Sequence, residues 1–308
     1  MRQQKGRKNV KGPTDRSAML MLETPKKIRT VSETWRGFGQ EIGFIPTMGA
    51  LHEGHLSLVR RAQEESDRVV VSIFVNPTQF GANEDFDTYP RQLKRDRERL
   101  EEIGCDALFA PSVEAMYGAR SPNSASGERT LVEVGRIGHL WEGSERPGHF
   151  RGVATVVAML LHAVLPHRAY FGEKDYQQLK VIQNMAHDLL FGVEIVGCPT
   201  VRESDGLAMS SRNAYLSEEE HEAATTLYQA LTAAVELARQ GERDASVLES
   251  KMQGICDTEP LVETQYAAVV NAETLTPLER LDGRPARAIV AGHVGVTHLI
   301  DNVELPSP

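Results

Sequence analysis

The sequence of 308 residues has few cysteines, no long apolar run and no internal repeat. Its three cysteines, Cys105, Cys198 and Cys256, are widely separated and lack C-x-x-C spacing, which excludes a disulfide framework and favours a reducing, cytoplasmic location. No apolar run reaches the roughly 18 residues of a membrane-spanning helix, so we expect no membrane partner. Without a repeat of about 20–50 residues, solenoids and propellers are excluded as well. What remains is an ordinary globular composition, 41% hydrophobic and 25% charged.

The charge is distributed unevenly along the chain. Residues 1–18 carry a net charge of +5, so the rest of the chain carries −14 of the total of −9. Because neutralising phosphates requires a basic surface, we expect no nucleic-acid partner for the acidic body. The basic head lacks the apolar segment of a secretory signal, and its composition predicts a disordered extension. We favour a dispensable tail, with a nucleic-acid or targeting arm as the alternative.

Strands and helices alternate over residues 19–200. The run Arg68–Val75 is almost entirely apolar and β-branched, which is typical of a strand that is buried on both faces. Gly104 after the charged segment Arg91–Ile103 indicates a helix C-cap. This alternation predicts an α/β fold with a doubly wound, Rossmann-like parallel sheet, whose ligands bind at the carboxyl ends of its strands. The predicted strands are 42–45, 68–75, 106–110, 130–134, 168–171 and 193–196, and the predicted helices are 54–66, 91–103, 148–165 and 174–190.

The composition changes near Val201. Ser217 followed by three glutamates indicates the start of a long alanine-rich helix that ends near Gln240, and a second helix is predicted over 245–256. Strands are predicted over 265–270 and 287–291. Residues 201–308 therefore read as a smaller α+β domain. The polar segment 121–127 is predicted to be an exposed loop inside the first domain.

Four segments contain residues suited to binding and catalysis. The first is Pro46–His55, PTMGALHEGH, between a predicted strand and helix. Its glycines permit a close approach to phosphate, and the helix start offers free N–H groups. His52 and His55, three residues apart, can stabilise charge that develops on phosphorus. A zinc site is disfavoured because it requires histidines four apart, and two structural histidines are the remaining alternative.

The second segment, FGEKDYQQL, follows the predicted strand 168–171. Lys174 at a helix start is electrostatically unfavourable unless a phosphate binds nearby. Asp175 can accept hydrogen bonds from a ribose, and Gln178 lies one turn after Lys174. A solvated helix with mixed charges is the alternative interpretation.

The third and fourth segments are shorter. In MSSRN, two hydroxyl groups and the guanidinium of Arg212 suit a polyphosphate, although a polar interdomain turn has the same composition. In VNPTQF, Gln79 follows the strand that ends at Val75 and would reach the same crevice to bind a small polar substrate.

Together these residues resemble a known family. The HxGH element with a later Met-Ser-Ser-Arg loop is similar to the nucleotidylyltransferase superfamily. The wider set PTMGALHEGH, FVNPTQF, RPGHFRGVATVV, YFGEKDYQQL and RESDGLAMSSRNAYL resembles the pantoate–β-alanine ligases, from about Met21 to Val303. The resemblance implies an enzyme that uses ATP to condense (R)-pantoate with β-alanine. It would proceed through a pantoyl adenylate, release pyrophosphate and AMP, and serve pantothenate and coenzyme A biosynthesis.

The resemblance also implies roles for individual residues. His55, with His52 beside it, and Lys174 would be catalytic, and Gln79 and Gln178 would bind pantoate, Gln79 also contacting β-alanine. No protein metal ligand is implied, since Mg²⁺ would arrive with ATP. A homodimer formed through the first domain is implied, and so is a second domain that acts as a lid over ATP. The implied ATP-binding residues are Met48, Gly49, Ala50, Leu51, His52, Glu53, Gly54, His55, Gly172, Glu173, Lys174, Asp175, Val201, Met209, Ser210, Ser211 and Arg212.

Three alternatives to this interpretation remain. A related nucleotidylyltransferase would transfer the nucleotide to another acceptor, which an acceptor screen would reveal. A fragment of a class I aminoacyl-tRNA synthetase would need a basic tRNA-binding surface, which the acidic body lacks. An inactive paralogue would be expected to have lost His52, His55, Lys174 or Arg212, and all four are present.

Overall fold

A computed structural model describes residues 18–81, 84–118 and 130–306, which form two packed units. The predicted basic extension, apart from Ala18, and the predicted loop 121–127 lie outside these residues. Within the described ranges, no helix combines the length and hydropathy needed to cross a bilayer.

A six-stranded, wholly parallel sheet forms the first unit, in the order β1-β4-β3-β2-β5-β6. The central strands β2 and β3 are mostly apolar because helices cover both faces, as is usual in parallel sheets. This arrangement confirms the predicted doubly wound α/β class. The strands are β1 Leu20–Leu22, β2 Ile42–Thr47, β3 Arg68–Ile73, β4 Ala107–Phe109, β5 Arg168–Gly172 and β6 Glu194–Cys198.

Helices on the two faces of the sheet bury separate apolar clusters. Helices α1, α6 and α7 pack against one face, and α2 and α3 pack against the other. Gly104 ends α3 in the left-handed conformation, as predicted. The helices of this unit are α1 Pro25–Gly37, α2 Glu53–Glu65, α3 Leu93–Ile103, α4 Val113–Tyr117, α5 Glu142–Glu145, α6 His149–Val164 and α7 Tyr176–Asp188.

The second unit packs two helices on an antiparallel sheet, which confirms the predicted α+β class. Its elements are α8 Glu218–Arg239, α9 Ala245–Cys256, β7 Val262–Asn271, β8 Ala286–Val294 and β9 Thr297–Leu305. Ser217 caps α8 with its side chain and forms a capping box with Glu220, as its sequence position indicates. The alanines of α8 are buried because they allow the helix to lie close to α9 and the sheet.

Two local predictions differ from the structure. The strand predicted over 130–134 is wrong: Val132 donates its backbone N–H to Thr155 Oγ1, so this segment lies along α6 instead of joining the sheet. The helix predicted from Lys174 begins at Tyr176, because residues 173–175 form a 3₁₀ turn. The cationic side chain of Lys174 is therefore just outside the helix rather than in its first turn.

The strand order reverses between β2 and β5. Successive strands β3 and β4 lie to one side of β2, whereas β5 and β6 lie to the other. The connections that leave the carboxyl ends of β2 and β5 therefore turn to opposite faces and open a crevice, which is where doubly wound sheets bind ligands. The HxGH segment follows β2 and the GEKD segment follows β5, so this crevice brings them together.

A buried asparagine holds the short turn after β3. Asn76 Oδ1 accepts hydrogen bonds from the backbone N–H of Thr78 at 3.3 Å and the hydroxyl of Tyr117 at 2.7 Å. Its amide nitrogen donates to Gln79 Oε1 at 3.2 Å and to the carbonyl of Gly152 at 3.3 Å. Gly152 on α6 lies so close that an added Cβ would be 2.3 Å from the carbonyl oxygen of Thr78. The turn and α6 therefore position Gln79 together.

We expect Gly152→Ala to destabilise the protein and to displace this turn. Its methyl group would overlap backbone, which cannot give way as a flexible side chain does, and overpacking typically costs about 1–3 kcal/mol. Gly254→Ala is the matched control, because Gly254 lies inside α9 with no atom within 4 Å of an added Cβ. The control should gain about 0.5–1 kcal/mol from helix propensity. Urea denaturation checks both, and equal effects would contradict the prediction.

Candidate active site

A cavity of about 210 Å³ lies at the carboxyl ends of β2 and β5 and extends beneath the start of the second unit. The structure therefore brings together residues from all four segments that the sequence analysis identified. The predicted site residues that line it are Met48, His52, Gly54, His55, Gln79, Gly172, Lys174, Asp175, Gln178, Val201, Met209, Ser210, Ser211 and Arg212.

The two histidine rings are in contact at the start of α2, tilted by 45° to each other. His52 is the N-cap residue and His55 follows in the first turn, with ring centroids 4.1 Å apart. A Cβ on Gly54 would approach the His52 ring to within 2.9 Å, which explains why glycine separates the two histidines. The backbone N–H of His52 donates to His55 Nδ1 at 3.4 Å. Among the described residues, His52 Nδ1 is buried and has no hydrogen-bond partner.

Burial keeps both imidazoles neutral near pH 7. Desolvation, followed by the charge of Lys174, lowers the pKa of His52 to about 4. Desolvation, followed by the effect of His52, lowers the pKa of His55 to about 3. Because Nδ1 of His55 accepts a hydrogen bond, the proton of the neutral ring lies on Nε2. In the ligand-free protein His55 is thus a neutral hydrogen-bond donor rather than a cation.

Lys174 supplies a fixed positive charge opposite the histidines. It lies in the 3₁₀ turn after β5, and its Nζ is 3.2 Å from Oδ1 of Asp175. The Lys174 side chain is 19% exposed, whereas the Asp175 side chain is 47% exposed. A ligand anion can therefore reach the ammonium group while Asp175 keeps it oriented.

The Met-Ser-Ser-Arg segment is held by residues of the first unit. Arg212 forms a forked pair with Asp85, with Nη2 to Oδ1 at 3.0 Å and Nε to Oδ2 at 3.3 Å. The Ser211 hydroxyl lies 3.2 Å from the hydroxyl of Tyr89, and Ser210 Oγ accepts the backbone N–H of Arg212. Any anion that binds Arg212 must compete with the carboxylate of Asp85.

Two glutamines also line the cavity. Gln79 is 8% exposed, and its amide nitrogen is 3.0 Å from the sulfur of Met48. Gln178 lies near the start of α7 and also lines the cavity. The apolar side chains of Phe74, Val153 and Val157 line the cavity as well. Amide groups beside an apolar surface suit a small ligand with both hydroxyl and methyl groups.

Some predicted ATP-binding residues do not line this cavity. The carboxylate of Asp96 accepts the backbone N–H groups of Ala50 at 2.9 Å and Leu51 at 2.8 Å. Gly49 and Ala50 have positive φ values of 88° and 50°, and the backbone N–H of Gly49 donates to Thr47 Oγ1 at 3.2 Å. The N–H groups of residues 49–51 are therefore all bonded to protein side chains.

Two predicted acidic residues also point elsewhere. Glu53 pairs with Arg60 on the exposed side of α2. Glu173 pairs with Arg287 at 3.0 Å, and its carbonyl accepts a hydrogen bond from the amide of Asn302. Glu173 thus joins the two units.

Sequence reasoning missed several residues around the cavity. Asp85 and Tyr89 are held against the Met-Ser-Ser-Arg segment, and Asp96 orients the loop after β2. Glu142 and His149 line a second cavity beside the first. No local pattern marks these residues, although the segment RPGHFRGVATVV contains His149 and the apolar face of α6.

Comparisons with known proteins match this chain to one family. A family model described as pantoate-beta-alanine ligase matches residues 20–304. The pantothenate synthetase of Rubrobacter xylanophilus is 66% identical over 290 residues, covering 94% of this chain and all of the relative. That of Thermotoga petrophila is 51% identical over 287 residues, covering 93% of this chain and all of the relative.

Solved structures are similar over the whole described fold. A pantothenate synthetase from Thermus thermophilus superposes with a TM-score of 0.86 at 50% identity, covering 94% of this chain and all of the other. A pantoate-beta-alanine ligase from Francisella tularensis, complexed with beta-gamma ATP and beta-alanine, has a TM-score of 0.74 at 36% identity. That match covers 93% of this chain and 98% of the other.

The neutral state of His55 predicts a pH dependence of stability. With a pKa of about 3 when folded and about 6.5 when unfolded, His55 binds a proton only in the unfolded state between these values. Its contribution therefore lowers the free energy of unfolding as the pH falls below 6.5, by about 1 kcal/mol per pH unit.

We expect His55→Gln to reduce the slope of the free energy of unfolding against pH, between pH 4.5 and 6, by the contribution of His55, about 1 kcal/mol per pH unit. Urea denaturation across the range measures it. Above pH 7.5, where the histidine is neutral in both states, the two proteins should give parallel curves, which serves as the internal control. Identical slopes at low pH would contradict the assignment.

Proposed function

This chain belongs to the pantoate-beta-alanine ligase family, and we propose that the cavity at the β2–β5 crevice is its active site. The protein is an ATP-dependent ligase that condenses pantoate with β-alanine, through a pantoyl adenylate, to give pantothenate, AMP and pyrophosphate. The observation that supports the location is the convergence of the HxGH, GEKD and MSSR segments with Gln79 on one cavity.

In the first step the pantoate carboxylate attacks the α-phosphorus of ATP. We propose that Lys174 and Nε2 of His55 stabilise the charge that grows on the α-phosphate oxygens, with His52 supporting His55. Such groups accelerate the step because they are oriented before reaction and need no reorganisation. A neutral imidazole donor suits this role, and phosphate binding would raise its pKa by bringing negative charge close to it.

The nucleotide would lie along the carboxyl end of β5. We propose that Gly172, Asp175 and the backbone of Val201 hold its ribose and adenine. Ser210, Ser211 and Arg212 would contact the β- and γ-phosphates, with Arg212 exchanging Asp85 for phosphate oxygens, and Met209 would contact ATP beside them. The remaining predicted ATP contacts, at residues 49–51, Glu53 and Glu173, stay predictions; in the structure these groups are bonded to other residues of the protein.

Pantoate would bind between Gln79 and Gln178. We propose that their amide groups hydrogen-bond its hydroxyl groups and that Val153 and Val157 pack on its methyl groups. This arrangement would point the carboxylate of pantoate towards Lys174. Gln79 would also contact β-alanine in the second step.

Mg²⁺ would enter as part of the MgATP substrate. Within residues 18–81, 84–118 and 130–306, no three His, Cys, Asp or Glu side chains come together as a metal site. Magnesium keeps several waters and binds readily to phosphate oxygens, which suits delivery by ATP. We propose that its protein contacts are few.

We propose that residues 19–200 form the nucleotide- and pantoate-binding domain and that residues 201–308 form a lid over ATP. Support for the lid comes from Arg212, at the start of the second unit and facing the cavity. The contacts of Glu173 with Arg287 and Asn302 would act as the tether about which the lid closes. A cytoplasmic location is proposed from the three cysteines, which are buried and unpaired.

We also propose a homodimer formed through the first domain, which rests on the family resemblance. Light scattering of the purified protein should then give about twice the chain mass of 34.1 kDa. A mass that stays at one chain at micromolar concentration would refute the proposal.

Separate measurement of the adenylation step tests the site assignment. With pantoate and MgATP but no β-alanine, the enzyme should release about one pyrophosphate per site. We expect Lys174→Ala to slow this single turnover by about 10²–10³-fold, or roughly 3–4 kcal/mol, with a smaller effect on ATP affinity. Gln79→Ala should instead raise the KM for pantoate most.

Thermal melting serves as the control for folding of both variants. Release of ADP and inorganic phosphate would contradict adenylation itself. Near-normal pyrophosphate release by Lys174→Ala would show that the site is assigned wrongly.

A further inference from the structure

A second, smaller cavity of about 100 Å³ shares a wall with the first. Gln79, Lys174 and Gln178 line both cavities, so the second cavity adjoins the place proposed for pantoate and the α-phosphate. Its far side is formed by Glu142 and by His298 of the second unit. One water needs roughly 10–15 Å³ by the same measure, so this cavity has room for a molecule the size of β-alanine.

Glu142 is the feature of this cavity that the adenylation step does not use. Its side chain is 4% exposed, and its Oε1 accepts the hydroxyl proton of Tyr266 at 2.9 Å. Glu142 also lines the second cavity. Gln177 fixes the start of α5 by accepting the backbone N–H of Glu142 at 3.1 Å. A buried carboxylate is costly unless cations or hydrogen-bond donors bind to it, and Tyr266 supplies one donor.

The charged groups around Glu142 leave it without a permanent cation. Arg146 is committed to Glu84 through two hydrogen bonds, and Lys174 is paired with Asp175. His298 Nε2 lies 3.8 Å from Glu142 Oε1, and burial lowers the pKa of His298 to about 4, so this ring is neutral near pH 7.

The remaining neighbour is Tyr266, a neutral donor whose pKa is raised by burial and by Glu142. Burial also raises the pKa of Glu142 itself. This makes the carboxylate a better proton acceptor than an exposed glutamate.

An outer cleft between the two units shares Arg146, Arg212 and His298 with the second cavity. This shared lining makes the cleft the route by which a small amino acid would enter the second cavity.

We propose that Glu142 is the catalytic group of the second step, binding the ammonium group of β-alanine and accepting a proton from it. This inference rests on the proposed function of the first cavity. β-Alanine carries its amine largely as an ammonium ion near pH 7, and that form has no lone pair for attack. Transfer of one proton to Glu142 generates the free amine beside the pantoyl adenylate.

The bond changes then balance. The amine nitrogen forms a bond to the acyl carbon, and the bond from that carbon to the AMP oxygen breaks, so the electron pair leaves with AMP. A second proton departs from nitrogen as the tetrahedral intermediate collapses to the amide. Glu142 returns the first proton to solvent before the next turnover.

Glu142→Gln tests the proposal because it removes the negative charge and the basicity of the side chain but keeps its size and shape. The amide oxygen of glutamine still accepts the hydrogen bond from Tyr266, so a structural role of Glu142 would survive. We expect pyrophosphate release from pantoate and MgATP to stay within about twofold of the unsubstituted enzyme. Formation of pantothenate should fall by about 100-fold, within the range typical of general-base removal.

Hydroxylamine is the decisive second nucleophile. It is largely uncharged at pH 7.5 and needs no base to release its lone pair. Glu142→Gln should therefore form pantoyl hydroxamate from the adenylate at the rate of the unsubstituted enzyme. Glu145→Gln, at an exposed position on the same turn, is the matched control and should leave both products unchanged.

The outcomes separate this proposal from the proposed function. If the unsubstituted enzyme releases no pyrophosphate without β-alanine, the proposed adenylation site fails, whatever Glu142 does. If adenylation is normal but Glu142→Gln makes pantothenate at the normal rate, or loses hydroxamate and pantothenate equally, the role of Glu142 is overturned. If Glu142→Gln melts at a much lower temperature than the unsubstituted enzyme, Glu142→Asp replaces it in the test. This variant should form less pantothenate but as much pantoyl hydroxamate as the unsubstituted enzyme. Equal losses of the two products would again overturn the role of Glu142.

Discussion

The reversal of strand order between β2 and β5 is the constraint on which the rest of the molecule depends. Parallel strands buried on both faces leave their carboxyl-end loops as the place where polar groups can converge. The loop after β2 supplies His52 and His55, and the turn after β5 supplies Lys174. That same turn also carries Glu173, whose pairing with Arg287 attaches the second unit. The reversal of strand order thus creates the crevice, and the turn after β5 attaches the second unit beside it.

Burial determines the electrostatic character of the site. Desolvation keeps the histidines neutral, and Asp85 and Asp175 balance the cations of Arg212 and Lys174 before a nucleotide arrives. The resting site therefore carries little unbalanced charge, which limits the cost of keeping ionised groups out of water. In the proposed complex Arg212 exchanges the carboxylate of Asp85 for phosphate oxygens, so this contact adds less to the affinity for ATP than a wholly new contact would.

Much of the fold and part of the site were predictable from local patterns. The apolar run of β3 and the cap of α3 depend on neighbouring residues, and both were read correctly. The segment at 130–134 has strand-like residues, but pairing is decided by distant partners, and Thr155 takes the hydrogen bond instead. Asp96 and Glu142 were missed for the same reason. Their roles come from contacts across 45 and 124 residues of sequence, with Leu51 and Tyr266, and nothing adjacent in the chain marks them.

Two cavities with a shared wall match the order of a two-step ligation. The first must bind a polyanion and a carboxylate together, which requires cations and neutral donors such as Lys174 and His55. In the proposed second step, the second cavity binds an ammonium ion and removes its proton, which requires a carboxylate with no permanent cation beside it, such as Glu142. Lys174 and Glu142 both line the second cavity, but each has a different hydrogen-bond partner, so they are not paired with each other. Keeping Lys174 paired with Asp175, and Glu142 with the neutral donor Tyr266, preserves a cationic centre and a basic centre around one acyl carbon.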